Sequence, residues 1–292
     1  MQFLIIGGDS TIGKRISEQL EAEGYNVITT TRKRENVTGT CLYLDLAKNV
    51  DMWPIPESID VAFVCAAVTS QFQCSKNPAM TWRINVFNTS LLGLRLGSLG
   101  IFVVFPSTNL VFDGEIPNCP ASSIFNPLTV YGRQKMEAEI ILKSLGVNGA
   151  IVRLTKVLTE NLHILAKWRN QLQTGDVIRP FNDMIFSPLL LDFVVEALVT
   201  IGKKRLSGIY QISADKDISY AELAFFWAQS IGADPNLVRP IKARAFNINL
   251  EHLPKHTTLD TSRMIQKLGI ERPAAWEVVH QVLQDGDEFL RE

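Results

Sequence analysis

Tyr131 and Lys135 stand four residues apart at the start of a segment, 131–142, whose apolar pattern reads as a helix. That separation puts both side chains on one helix face. A free phenol ionises at about pH 10, so alone it is a poor acid–base group at neutral pH. A neighbouring ammonium favours the phenolate and lowers that pKa. Such a pair can give a proton to a substrate oxygen, or take one from it, if a hydroxyl nearby orients the carbonyl. Phe105-Pro106-Ser107-Thr108-Asn109, at the carboxyl end of an apolar run, supplies Thr108 for that purpose. Tyr-x-x-x-Lys also arises by chance, and a surface tyrosine beside an unrelated lysine is the plainer reading of the pair alone.

A second pattern gives the pair a context. Gly7-Gly8-Asp9-Ser10-Thr11-Ile12-Gly13 follows the apolar run Gln2–Ile6 and leads into Ile12, Ile16 and Leu20 at helical spacing. In a strand–turn–helix unit, backbone N–H groups and the helix dipole hold a pyrophosphate. The usual spacing is G-x-x-G-x-x-G. Gly7 and Gly13 match its ends, and Ser10 replaces the middle glycine while still offering backbone and hydroxyl donors. A tight turn without ligand is the alternative.

The second strand's end bears on cofactor choice. A carboxylate there accepts from a ribose 2′-hydroxyl, whereas basic residues favour a 2′-phosphate. The run Thr29-Thr30-Thr31-Arg32-Lys33-Arg34 has no carboxylate at that place. Thr31, Arg32 and Lys33 therefore point to NADP(H), with NAD(H) as the alternative. A solvated basic loop would read the same way.

The elements that must position these groups alternate short apolar runs with amphipathic stretches, as βαβ units do. Strands are expected at Gln2–Ile6, 26–30, 41–44, 61–65, 101–105 and 150–154, most of them continuous apolar runs suited to a sheet covered on both faces. Helices are expected from Ile12 to a stop at Gly24, at 85–96 and at 131–142. Further on, 188–201 reads as a helix and Gly208–Ile212 as a late strand. Ser219 and Glu222 form a capping box, and a last amphipathic helix begins at Ala275. The fold class is α/β: a doubly wound Rossmann-type parallel sheet with a smaller α/β C-terminal lobe. Residues 1–158 form the dinucleotide-binding domain, to which 185–213 return; 159–184 and 214–292 form the substrate lobe.

Composition excludes several classes. The chain of 292 residues is 46% hydrophobic and 20% charged with net charge −1, so it carries no general electrostatic footprint for nucleic acid or an anionic membrane. Its start lacks a basic region and a long apolar run. The cysteines Cys41, Cys65, Cys74 and Cys119 show no metal-like spacing and read as reduced thiols of a cytoplasmic protein. His252 and His256 are four apart, but Pro254 lies between them and argues against a helical metal site, and no metal is expected. Trp168, Trp227 and Trp276 read as packing residues. Lys203-Lys204-Arg205 follows a helix and suits its carboxyl-end dipole.

The motifs taken together resemble the extended short-chain dehydrogenase/reductases, above all the dTDP-4-dehydrorhamnose reductases. Ser107-Thr108-Asn109-Leu110-Val111-Phe112-Asp113-Gly114 is similar to that family's S-T-D-x-V-F-D-G, and Asn126 to Gly132 to its P-x-x-x-Y-G approach. Asp183 to Pro188 with Leu191-Asp192, Gly208 to Ser213, and Thr258 to Ser262 resemble further family segments, so the likeness runs nearly end to end. It implies a keto-reductase of a nucleotide-linked deoxysugar that draws hydride from a nicotinamide cofactor. Tyr131 would donate the proton, Lys135 would be its electrostatic partner and would hold the nicotinamide ribose, and Thr108 would orient the carbonyl. Ser10, Thr11 and Ile12 would meet the pyrophosphate; Asp45-Leu46 and Ala66-Ala67 would border the adenosine. The resemblance also suggests a homodimer.

Departures leave the sugar open. Asn109 stands where the family has Asp, Gln134 where it has Ser or Thr, and Lys156 where an aromatic residue is usual. Thr69, Asn109 and Lys156 are the candidate substrate contacts. Two other functions share these motifs: a nucleotide-sugar epimerase that retains its cofactor, and a non-catalytic NADP-binding regulatory subunit like that of methionine adenosyltransferase. A 4,6-dehydratase needs an acid–base pair after the active-site Thr, and Asn109-Leu110 supplies none.

Overall fold

The computed structural model describes residues 1–159, 163–246 and 252–289. The apolar runs form strands: β1 (Gln2–Ile6), β2 (Asn26–Thr31), β3 (Cys41–Tyr43), β4 (Val61–Val64), β5 (Phe102–Thr108) and β6 (Gly149–Leu154). Short strands β7 (Lys156–Leu158), β8 (Ile185–Phe186) and β9 (Pro188–Leu190) follow, then β10 (Gly208–Ile212) and β11 (Ile218–Ser219). Seven of these make one parallel sheet in the order β10-β6-β5-β4-β1-β2-β3. The order reverses between β1 and β4, and a sheet of this kind has its ligand crevice outside the strand carboxyl ends at that point.

Helices cover both faces. They are α1 (Thr11–Ala22), α2 (Gln71–Lys76), α3 (Pro78–Trp82), α4 (Thr89–Ser98), α5 (Val130–Leu142) and α6 (His163–Gln173), then α7 (Leu191–Lys203), α8 (Tyr220–Ser230), α9 (Ser262–Leu268) and α10 (Ala275–Phe289). Ile16 and Leu20 of α1 and Val194 and Leu198 of α7 pack on one face with Phe3, Ile5 and Phe63. Leu92 and Leu96 of α4 and Ala138 and Leu142 of α5 pack on the other with Leu4, Ile6 and Phe105. A separate core gathers Trp168, Leu172, Trp227 and Val279. Trp276 lies against that core and stacks on Phe226, with ring centroids 5.1 Å apart. Among the described residues no helix is long and apolar enough to cross a membrane.

Two local features differ from expectation. Pro188 to Leu190 are a strand, not the first turn of a helix: they pair in parallel with Lys156–Leu158, and Leu190 is extended before α7 starts at Leu191. The segment 85–96 is not one regular helix; a π-helical turn over Arg83–Asn88 precedes α4, and the Thr89 hydroxyl donates to the Ile84 carbonyl at 2.7 Å. Lys203 closes the last turn of α7, as the dipole reading expects, and also pairs with Glu23 at 2.7 Å, while Arg205 pairs with Asp60 at 3.4 Å.

Candidate active site

The β1–α1 turn explains its own residues. Gly7 has φ +87°, and a Cβ on Gly13 would lie 2.3 Å from the Gly7 carbonyl oxygen, so the helix can approach the strand this closely only with glycine there. Ser10 is extended at φ −78°, ψ 152°, which any residue adopts, and therefore needs no glycine. Its hydroxyl donates to the Gly7 carbonyl at 2.7 Å and accepts from the Gly13 N–H at 3.1 Å. The expectation that this hydroxyl is free for a phosphate is thus corrected: it is spent as the helix cap. Among the described residues the N–H groups of Thr11 and Ile12 have no capping partner.

Two cavities meet at this turn. One, of about 360 Å³, is lined from the β1, β2, β3 and β4 ends by Gly7, Thr31, Arg32, Asp45, Leu46 and Ala66. The other, of about 820 Å³, is lined by Thr11, Ile12, Thr108, Asn109, Tyr131, Lys135 and Lys156. Asp9, Ser10, Ala67 and Thr69 line both. Lys33 lines neither and is exposed, while its backbone N–H donates to the Thr31 hydroxyl.

Tyr131, Lys135 and Thr108 are brought together by two elements. β5 runs to Thr108, whose hydroxyl accepts from the Leu110 N–H at 3.2 Å and lies 3.4 Å from Asn109 Oδ1. α5 is capped by Thr129 and closes against that strand end because Gly132 has no side chain; a Cβ there would lie 2.2 Å from the Leu110 carbonyl oxygen. Lys135 is 3% exposed. Its Nζ donates to the Pro106 carbonyl at 2.7 Å and sits 3.7 Å from the Phe105 ring centroid.

Burial governs the electrostatics. It pushes the Lys135 ammonium down to about 7, with Glu139 and Cys65 opposing, and it pushes the Tyr131 phenol above its ordinary range. The sequence expectation was a phenol made more acidic by the ammonium. Desolvation is the largest cause at both groups and favours the neutral form of each, with Cys74 adding to it at Tyr131. Tyr131 is thereby held as a phenol carrying its proton, the form a donor requires.

Sequence reasoning missed four groups. Glu139, one turn beyond Lys135, and Arg153 on β6 form a wholly buried ion pair at 2.8 Å, and the Ser107 hydroxyl donates to Glu139. Glu139 stands on the Tyr131–Lys135 helix face, and Arg153 interrupts an apolar strand; both were legible signals. Thr155 lines the larger cavity with its buried hydroxyl lacking a partner among the described residues. His252 lines it too, its Nε2 2.8 Å from the Asp113 carbonyl oxygen, whereas His256 faces Asp217 at 3.7 Å.

Comparison with known proteins bears on the family and the fold. Residues 1–287 match the family model described as RmlD substrate binding domain. A Sinorhizobium fredii protein named dTDP-4-dehydrorhamnose reductase is 27% identical over 175 residues, 56% of this chain and 59% of that protein. The structure of a Bacillus anthracis dTDP-4-dehydrorhamnose reductase in complex with NADP has a TM-score of 0.80 at 21% identity, covering 97% of this chain and 99% of that one. MoeE5 in complex with UDP-glucose and NAD has a TM-score of 0.78 at 19% identity, covering 99% of this chain and 100% of that one.

Proposed function

This chain belongs to the RmlD substrate binding domain family, and from that membership we propose that it reduces a keto group on a nucleotide-activated deoxysugar with a nicotinamide dinucleotide. The observation that carries the reading is the opening of Tyr131, Lys135 and Thr108 into one 820 Å³ cavity that meets the glycine turn. The turn suits the cofactor: two cavities flank an α-helix start whose Thr11 and Ile12 N–H groups are uncapped, with Gly7 and Gly13 leaving the approach open. The bound nicotinamide supplies the hydride. Thr108 and Tyr131 donate to the substrate oxygen, Tyr131 gives it the proton, and Lys135 steadies the cofactor's ribose. Thr69, Asn109 and Lys156 are assigned to the sugar nucleotide.

In this reading residues 1–158, with 185–213, hold the dinucleotide, and the second lobe holds the sugar nucleotide. The protein works as a homodimer in the cytoplasm, which sedimentation and fractionation test. NADP(H) was the sequence expectation, and Arg32 is the basic residue of that run that lines the adenosine cavity.

The test is the change in reduced-cofactor absorbance with a panel of keto-sugar nucleotides. Net consumption separates reduction from epimerisation, which returns its hydride. Tyr131→Phe should lose about 10²- to 10⁴-fold in turnover with cofactor affinity unchanged. Undiminished turnover in that variant would refute the assignment.

A further inference from the structure

Asp9 puts a carboxylate in the middle of the β1–α1 turn, where both cavities meet. Its position is fixed from the neighbouring strand. Thr31, the last residue of β2 and 2% exposed, donates its hydroxyl to Asp9 Oδ2 at 2.5 Å and accepts the Lys33 N–H at 3.0 Å. Thr30 binds the same turn, its hydroxyl accepting the Gly7 N–H at 2.9 Å and its carbonyl the Gly8 N–H at 2.9 Å. Asp9 Oδ1 makes no hydrogen bond among the described residues and is open to a donor.

The end of β2 is where dinucleotide-binding sheets present an acid to the adenosine ribose. Here β2 ends in a hydroxyl, and that hydroxyl holds a carboxylate delivered by the turn. The acid absent from the strand is thus present in space. The charges lining the adenosine cavity are the carboxylates of Asp9 and Asp45 and the guanidinium of Arg32. The other cations of the basic run are engaged elsewhere or point away: Arg34 lies 4.5 Å from the Tyr43 ring centroid, and Lys33 is exposed outside the cavity. Two negative groups against one positive is an arrangement that suits a neutral ribose diol better than a phosphate dianion.

We propose that Asp9 is the residue that discriminates between the two nicotinamide dinucleotides, holding the adenosine cavity toward NAD(H) and against a ribose 2′-phosphate. The inference rests on the proposed use of a nicotinamide cofactor and says which form this chain's own residues select. Its two parts are separable. The carboxylate accepts from a 2′-hydroxyl, and it repels a 2′-phosphate that Arg32 attracts. A dianion about 5 Å from a carboxylate in a solvated cleft is disfavoured about tenfold in affinity, and salt weakens the effect.

The experiment is calorimetric titration of the full chain with NADH and NADPH, and with 5′-AMP and adenosine 2′,5′-bisphosphate as probes that involve no turnover. Asp9→Asn should move the NADPH-to-NADH and bisphosphate-to-AMP affinity ratios about tenfold toward the phosphorylated member. Thr31→Val, which frees the carboxylate without removing it, should move them the same way by less. Arg32→Ala should move them in the opposite direction. Ratios in Asp9→Asn within about twofold of the parent, with 5′-AMP still bound, would overturn the proposal and leave the reductase reading standing. Failure of the parent to bind any of the four ligands would overturn both.

Discussion

The buried pair that joins α5 to β6 offers the most demanding test of how this site is held. Arg153 donates to Glu139 from Nε at 3.1 and 3.2 Å and from Nη2 at 2.8 Å, and its Nη1 reaches the Ala121 carbonyl at 3.0 Å and Gln211 Oε1 at 3.2 Å. The guanidinium lies beside the stacked Phe112 and Phe125 rings, 4.9 and 5.1 Å from their centroids. Both partners are 1% exposed, so neither can turn to water when the other is lost. Replacing Arg153 by Met leaves Glu139 charged in the interior with the Ser107 hydroxyl as its remaining donor. Breaking such a pair costs about 3–5 kcal/mol. For a chain of 292 residues, at about 2.1 cal/mol/K of unfolding entropy per residue, that is a fall in Tm of about 5–8 °C. Glu139→Leu, which leaves the Arg153 guanidinium unpaired, should cost a comparable amount from the other side. Arg153→Met combined with Glu139→Leu removes both charges and should recover about 1–3 kcal/mol of the summed loss. Circular-dichroism melts and urea titrations read all four proteins. A single variant within about 1 kcal/mol of the parent, or a double variant no better than the sum, would refute the view that uncompensated charge sets the cost.

Two further outcomes follow from the same geometry. Lys135 is pushed down to about 7 from an ordinary 10.5, so between those values the unfolded chain holds a proton that the folded one sheds, and stability rises with pH across that window. Lys135→Met should therefore stabilise the cofactor-free protein most at or below neutral pH and progressively less toward pH 10, as urea titrations at several pH values will report; a gain that does not shrink with rising pH would contradict the assignment. Gly13→Ala places a Cβ 2.3 Å from the Gly7 carbonyl oxygen, which should cost about 1–3 kcal/mol of stability and, by a like energy, weaken dinucleotide affinity about 5- to 150-fold; calorimetry with NADH and a thermal melt check both.

Much of this was legible because sheet strands buried on both faces must be apolar throughout. Gln2–Ile6 and Gly208–Ile212 could be delimited from composition alone. Thr108, Tyr131 and Lys135 were legible because their chemistry leaves a local spacing. What escaped depends on distant partners. Pro188 to Leu190 carry an apolar pattern that fits a helix as well as a strand, and pairing with Lys156–Leu158 decides it. Asp9 escaped because the usual rule seeks the ribose acid along β2, whereas here the turn brings it there through Thr31. Glu139 and Arg153 are each conspicuous where they stand, but that they face one another, fourteen residues apart in different elements, is visible only in the fold. The Tyr131 shift needed the burial of the whole crevice, which no spacing encodes.

The two adjoining cavities draw on the chain very unevenly. The smaller is lined entirely by residues between Ile6 and Ile84, whereas the larger collects side chains from Asp9 to Thr257. On the proposed function, substitutions at Thr155, Lys156, Met184, Phe186, Tyr220 or His252 should reshape what is accepted for reduction while leaving the lining of the smaller cavity unchanged. Inheritance can vary the two halves of the reaction separately, and a library confined to those six positions is the natural place to seek altered sugar preference.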